Sequence, residues 1–235
     1  MENVSKNFLT ISKQECLIVY KDVLENSDTR WNIVNKLAKL GDYGGATSCT
    51  IISIEELVKA LIIYFDGRGF YFRKVKGMKI FFRNHQIRYV IAYVIFVMNV
   101  FAQKLKKFIL KIRDDPEYIL RLSKEIKHEN FLEKKLKIPL LRKLSELRKE
   151  FEWFSDIDIS RQNGFYIDYS NVLKTPLNIT SQDYIKLKTK LAKVRNVGNG
   201  IIQVFEENSP ETALQLANLL NDFRKKEYYN FIEKA

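Results

Sequence analysis

The sequence predicts an all-α protein. Only four prolines and nine glycines occur in 235 residues, so long stretches are free of helix-breaking residues. In several of these stretches apolar residues recur every three or four positions, which is the periodicity of a packed helix. Hydrophobic residues make up 46% of the chain and aromatic residues 13%, enough to form a core. We therefore expect a single helical domain that spans residues 1–235.

Two helices joined by a turn are predicted at the start of the chain. Residues 12–40 show the helical spacing of apolar side chains. The following segment, Gly41-Asp42-Tyr43-Gly44-Gly45, is typical of a turn. Residues 46–65 are apolar on nearly every side, which indicates a buried helix at the centre of the fold.

The middle of the chain predicts a loop and a long helix. Glycines interrupt residues 66–79, which are basic and aromatic, so we expect a loop there. Residues 80–112 resume a helical pattern. The apolar run within it, residues 89–102, covers 14 positions, fewer than the roughly 20 that cross a bilayer. We interpret this run as a buried core helix.

Proline positions divide the rest of the chain. Pro116 is expected to open a helix, and Pro139 to break the charged helical pattern that follows. Residues 155–181 are polar and rich in turn residues, which indicates an irregular insertion. Two last helices are expected to begin at Ser181 and Pro210.

The net charge and the cysteine content indicate which kind of partner the protein binds and in which cellular compartment it lies. The formal net charge is +12, which favours binding to phosphate backbones or to acidic proteins. Cys16 and Cys49 both lie in apolar helical patterns, so we expect neither a disulfide framework nor a thiolate zinc site. Residues 1–13 are polar and charged and do not resemble a secretory signal. We expect a cytoplasmic protein that does not bind membranes.

Three charged residues interrupt the apolar helix predicted for residues 46–65. They are Glu55, Glu56 and Lys59. Lys59 lies four positions after Glu55 and three after Glu56, so its ammonium can reach either carboxylate. Because an isolated buried charge is strongly destabilising, we expect these residues to be paired or functional. Ordinary salt links at a surface edge of the helix are the alternative.

Three segments, in order along the chain, match the motifs of a known family. The first is Gly41-Asp42-Tyr43, then Ala46 and Ile54-Glu55-Glu56-Leu57-Val58-Lys59-Ala60. The second is Phe82-Arg83-Asn84-His85-Gln86-Ile87-Arg88. The third is Arg161-Gln162-Asn163-Gly164-Phe165-Tyr166-Ile167-Asp168-Tyr169, with Pro176 after it. Together they resemble the AbiV family of bacterial abortive-infection proteins, with Val58 where that family usually has glycine and Arg88 where it usually has lysine.

The resemblance implies a fold, a function and partners. AbiV-like proteins act in phage defence and are similar in their helical core to the HEPN superfamily, whose active members are metal-independent ribonucleases with arginine and histidine at a dimer interface. We therefore expect a HEPN-like helical bundle with an irregular insertion around residues 155–180, acting as a homodimer without a cofactor. The expected partners are RNA, as the substrate, and a phage-encoded activator protein. Activity would halt translation or growth.

The expected catalytic residues are His85, Arg88, Glu55, Glu56 and Lys59. The histidine is the natural acid or base near neutral pH. Under the ribonuclease hypothesis, Arg88 or Lys59 would stabilise charge on the phosphate, and one of the two glutamates would orient the histidine. A metal site formed by Glu55, Glu56 and His85 is an alternative.

The HEPN pattern of arginine and histidine has one formal match elsewhere. Arg121 and His128 are separated by six residues in a highly charged stretch. Two further groups of residues are singled out. RNA binding is expected at Arg68, Tyr71, Arg73, Lys74 and Lys76, where cations alternate with aromatic rings. A solvated loop whose aromatic rings pack against the protein is the alternative. The third motif contributes Arg161, Tyr166, Asp168 and Tyr169 without an assigned role.

A non-catalytic interaction protein is the competing hypothesis. Its basic surface would bind an acidic phage or host factor without breaking any bond. The position of His85 distinguishes the two hypotheses. A histidine that meets the charged residues of the central helix in a solvent-reachable cleft favours catalysis, whereas a dry and fully satisfied cluster favours a structural role.

Overall fold

A computed structural model describes residues 6–75, 78–114 and 138–207 of the chain. The α-helices are α1 (Lys13–Lys39), α2 (Tyr43–Gly67), α3 (Met78–Phe81), α4 (His85–Asp114), α5 (Ile138–Asn163) and α6 (Ser181–Glu207). Two 3-10 turns cover Phe72–Lys74 and Pro176–Asn178. Strands β1 (Asp168–Ser170) and β2 (Val172–Lys174) form a small antiparallel hairpin. The all-α prediction is confirmed.

Helix α2 is the centre of the fold, as its sequence predicts. It contacts α1, α4, α5 and α6. Its apolar residues are buried around the whole helix, and Leu57, Val58 and Ile63 are fully buried. Removal of this apolar area from water is the main contribution to folding. Consequently, any polar side chain on α2 must find its partners inside the protein.

Side-chain caps fix the start of the first two helices. Ser12 Oγ accepts a hydrogen bond from the Glu15 backbone N–H, and the Glu15 carboxylate accepts one from the Ser12 N–H, which together form a capping box. Asp42 Oδ1 accepts from the Gly45 N–H at 2.8 Å and caps α2. Between the helices Gly41 has φ of 80°, a left-handed conformation that glycine adopts readily.

The predicted loop at residues 66–79 is partly helical. Helix α2 continues to Gly67, and a 3-10 turn and the first residues of α3 follow. The next long helix begins at His85 and not at residue 80. Asn84 explains this start, because its Oδ1 accepts a hydrogen bond from the Gln86 N–H at 2.8 Å in the manner of an N-cap.

Two expectations about α5 are wrong. Pro139 lies in the first turn of the helix, where its missing N–H removes no helical hydrogen bond, so it does not break the helix. The helix then continues to Asn163, which leaves only residues 164–180 for the irregular insertion. Phe154 and Ile157 are buried against the core at a three-residue interval, and this packing outweighs the local polarity.

The apolar run at residues 89–102 is not buried on all sides. Tyr89, Ala92 and Phe96 are buried, whereas Val90 and Val94, which follow the four-residue spacing on the opposite face, are 41% and 50% exposed. None of the helices in the described ranges is both long enough and apolar enough to span a bilayer. The helices predicted at Pro116 and Pro210 lie outside the described residues.

Both cysteines are free and buried; the sequence predicted no disulfide between them. Cys16 lies in α1 and Cys49 in α2. Burial raises the pKa of both thiols. Neither side chain therefore has the character of a reactive thiolate.

Replacing Gly164 with alanine is expected to destabilise the protein. A Cβ at this position would lie 2.2 Å from Ser48 Oγ and 2.4 Å from the Gly44 backbone oxygen. The insertion would have to move away from α2, so we expect the free energy of unfolding to fall by about 1–3 kcal/mol in urea denaturation. Gly200→Ala is the matched control, because a Cβ there meets nothing within 4 Å. It should stabilise the helix by about 0.5–1 kcal/mol, and equal effects of the two substitutions would contradict the close contact.

Candidate active site

Glu55 lies at the centre of a buried polar cluster. Glu55 is 2% exposed. His85 Nδ1 is 2.6 Å and Arg88 Nη1 3.0 Å from Glu55 Oε2, and the Tyr89 hydroxyl donates to Oε1 at 2.5 Å. Positions i, i+3 and i+4 lie on one face of a helix. The first turn of α4 therefore directs all three side chains toward the same carboxylate.

Helix α5 supplies the other side of the cluster. Arg161 Nε lies 3.5 Å from Glu55 Oε1 and donates to Asp158 Oδ1 at 2.8 Å. The Tyr89 hydroxyl lies 3.0 Å from the same oxygen of Asp158. Since a tyrosine hydroxyl has a single proton, the donated bond goes to the nearer oxygen, that of Glu55. Glu55 thus joins residues from the first, second and third sequence motifs.

The charges of the cluster support one another. Burial and the adjacent Glu55 carboxylate raise the pKa of Tyr89, which therefore remains a neutral donor. Burial alone would raise the pKa of Asp158, but the hydrogen bond and the charge of Arg161 outweigh it, and the pKa is lowered. Burial likewise acts to lower the pKa of Arg161, but the hydrogen bond to Asp158 and the charges of the surrounding acidic groups together outweigh it, so the pKa is raised. Asp158 and Arg161 therefore form an ionised pair.

Arg88 is held inside the protein. It is 4% exposed. Besides its bond to Glu55, its Nε donates to the Phe81 carbonyl at 3.2 Å and its Nη2 to the Phe82 carbonyl at 2.7 Å. These bonds tie the turn before α4 to the carboxylate. The guanidinium is therefore committed to internal acceptors, and its geometry fits a positioning role better than contact with a substrate.

The cluster is buried at one end and reaches solvent at the other. The His85 side chain is 42% exposed and that of Arg161 is 18% exposed. Nδ1 of His85 is engaged by Glu55, while its Nε2 forms no hydrogen bond with any residue in the described part of the chain. A carboxylate that accepts from Nδ1–H sets the histidine tautomer in which Nε2 can accept a proton. Such an arrangement can perform general acid–base chemistry.

Glu56 and Lys59 stand apart from this cluster. They form a partly buried ion pair with each other on α2, with side chains 14% and 16% exposed. The ammonium thus pairs with Glu56 and not with Glu55. In addition, the described residues contain no group of three His, Cys, Asp or Glu side chains that could hold a metal ion.

The segment predicted to bind RNA is largely engaged with its own protein. Arg73 forms an ion pair with Asp66 and donates to the Phe8 carbonyl at 2.7 Å. The Tyr71 hydroxyl accepts from Lys13 Nζ at 2.7 Å, and Lys74 Nζ lies 4.4 Å from the Tyr71 ring centroid. Arg68 lies over the Tyr64 ring, and Lys76 is outside the described residues.

The remaining residues of the third motif lie at the protein surface, with Tyr166 just before the hairpin and Asp168 and Tyr169 in β1. Tyr166 is 64% exposed and Tyr169 is 74% exposed, and Asp168 Oδ1 accepts from the Tyr169 N–H. None of the three forms a hydrogen bond to the Glu55 cluster in the described part of the chain. Arg121 and His128, the alternative pair, lie outside the described residues.

Two members of the cluster are absent from the sequence predictions. Tyr89 follows His85 by four positions, so helical spacing alone places it beside the histidine. Asp158 precedes Arg161 by three positions, which is the spacing of a helical ion pair. The spacing of Asp158 and Arg161 has this meaning only if residues 155–163 are helical. Their polar composition predicted an insertion instead, so the pair was not recognised.

Comparison with known proteins agrees with the three motifs. The family model HEPN_AbiV, described as AbiV, matches residues 15–196, which is more than three quarters of the chain. No curated protein and no solved structure matches the chain significantly. The matched range contains Glu55, His85 and Arg161. The chain therefore belongs to the AbiV family of HEPN proteins, a family of abortive infection and phage defence.

Proposed function

We propose that this protein is an infection-activated, metal-independent endoribonuclease that arrests growth or translation. The observation that supports the proposal best is the position of Glu55 between His85 and Arg161. One carboxylate oxygen contacts the histidine and the other faces the arginine. A histidine held in one tautomer can act as the base, and a nearby cation can stabilise the charge on the phosphate. Together the two groups can cleave RNA without a metal.

His85 is the general base of the proposed reaction. Its Nε2 takes the proton of a ribose 2′-OH, and the oxygen attacks the adjacent phosphorus. The Glu55 carboxylate stabilises the imidazolium that forms, as a buried carboxylate does beside a catalytic histidine. The bond from phosphorus to the 5′ oxygen then breaks. The leaving oxygen takes a proton from water, and the His85 imidazolium returns its proton to the solvent. The products are a 2′,3′-cyclic phosphate and a 5′-hydroxyl end.

Arg161 stabilises the charge that develops on the phosphorus oxygens. Its Nε is used by Asp158, while its terminal nitrogens make no hydrogen bond within the described part of the chain. A cation held in place by an ion pair does not have to reorganise during the reaction, which is the source of electrostatic catalysis. We therefore propose Arg161, and not Arg88, as the residue that stabilises the phosphate, since the Arg88 guanidinium already donates to internal acceptors.

The proposal is tested with purified protein and total cellular RNA in the presence of EDTA. Lysates of phage-infected and uninfected cells are added in parallel, since activation by a phage-encoded protein is part of the proposal. We expect cleavage only with infected lysate, and cyclic phosphate ends by end-specific ligation. Intact RNA under conditions that arrest growth would overturn the nuclease proposal in favour of a binding protein.

Replacing Arg161 with lysine is expected to reduce RNA cleavage by about 100-fold, the typical loss when one transition-state donor is removed. A single ammonium cannot both pair with Asp158 and contact a phosphate as a guanidinium does. Initial rates on a fluorescent RNA give the measurement. Arg148→Lys is the control on the same helix, because the Arg148 side chain is 82% exposed and, among the described residues, pairs with Glu152 alone. Equal rates for the two variants would contradict the role of Arg161.

A further inference from the structure

A second cleft lies on the other side of α5 from the Glu55 cluster. It has a volume of about 900 Å³ and is bounded by α5, by α6 and by the segment that follows the hairpin. Its lining shares no residue with the Glu55 cluster. Volumes of roughly 300–1,000 Å³ are typical of sites for small molecules.

The lining of this cleft carries excess positive charge. Four lysines line it: Lys174, Lys186, Lys190 and Lys193. Only Lys190 forms a salt bridge among the described residues, with Glu150. The single acidic residue of the lining, Asp183, accepts two hydrogen bonds from Thr180, which lower its pKa and occupy it as a helix cap. Lys186 also interacts with the charge of Asp183, but four lysines against one carboxylate leave the described lining positive, which favours an anionic ligand.

The apolar part of the lining indicates what accompanies the anion. Trp153 contributes an indole ring, and Leu187 and Ile179 contribute aliphatic surface. Asn163, on α5, adds an amide that can donate and accept. Inorganic phosphate would leave this surface and most of the volume unfilled. A flat, partly apolar group attached to several phosphates satisfies all of these features.

We propose that this cleft is a binding site for a nucleoside polyphosphate. The lysines of α6 and Lys174 bind the phosphates, and Trp153 with Leu187 contacts the base. The site is separate from the Glu55 cluster, so this proposal stands independently of RNA cleavage and its test needs no nuclease activity.

Isothermal titration of the full chain with ATP and GTP tests the proposal, with adenosine and inorganic triphosphate as partial ligands. We expect one nucleotide per chain and at least tenfold weaker binding of both partial ligands. The double variant Lys186→Ala/Lys193→Ala should weaken nucleotide binding at least tenfold, whereas Lys149→Ala, an exposed lysine on α5, should not. No saturable nucleotide binding, or equal loss in both variants, would overturn the proposal. Tight binding of a short single-stranded RNA, with no binding of free nucleotide, would also overturn the proposed site.

Discussion

Replacing Arg88 with methionine is expected to lower the free energy of unfolding by about 3 kcal/mol or more, as removal of one partner from a buried ion pair does. Methionine keeps much of the aliphatic stem but none of the donors. The substitution therefore leaves the Glu55 carboxylate, 2% exposed, without its buried cation. It also leaves the Phe81 and Phe82 carbonyls without their guanidinium donors. Chemical denaturation followed by circular dichroism gives the measurement.

Two further variants show whether this loss arises from the Glu55 contact. Arg83→Met removes an exposed arginine from the same segment, and it should change stability by no more than about 0.5 kcal/mol. In the double variant Glu55→Gln/Arg88→Met, the loss should be smaller than the sum of the two single losses, because the second substitution no longer strands a charge. Strict additivity would show that the two side chains are not coupled.

Replacing His85 with alanine is expected to reduce RNA cleavage by about 100- to 10,000-fold, the contribution of a positioned general base. Stability should change little by comparison with Arg88→Met, because the His85 side chain is 42% exposed. Cleavage rates and denaturation midpoints measured on the same preparations separate the two effects. Loss of activity in a fully folded variant is the result that assigns His85 to the reaction.

His128→Ala is the matched control, since the chain has two histidines. Under the proposed mechanism it retains activity. The opposite pattern, an inactive His128→Ala and an active His85→Ala, would exclude His85 as the base and transfer the reaction to the Arg121 and His128 pair. Retained activity in both single variants would remove histidine catalysis from the proposal altogether.

Local sequence patterns predicted the structure correctly where it depends on the composition of a single helix. The all-round apolar character of residues 46–65 correctly predicted a central helix, because a helix without a polar face has to be covered on every side. The polar composition of residues 155–163 led to the wrong prediction of an insertion. There the burial of Phe154 and Ile157, which depends on neighbouring helices, sustains the helix against its local polarity.

Spacing could not decide which glutamate belongs to the site. Glu55 and Glu56 both lie within reach of Lys59, and they differ by about 100° around the helix axis. In the folded protein this rotation points Glu55 toward α4 and α5, whereas Glu56 pairs with Lys59. Which glutamate joins the cluster therefore depends on where α4 and α5 pack against α2, and not on the spacing of the residues in the sequence.

By itself, the sequence determined the helical class, the central position of α2, the AbiV family and the candidacy of Glu55 and His85. These follow from periodicity and short motifs, which act over one or two helical turns. Only the tertiary structure decided that Arg161, more than one hundred positions after Glu55, faces the same carboxylate, and that Arg88 is enclosed. Contacts between distant segments depend on how helices pack, which no local interval encodes.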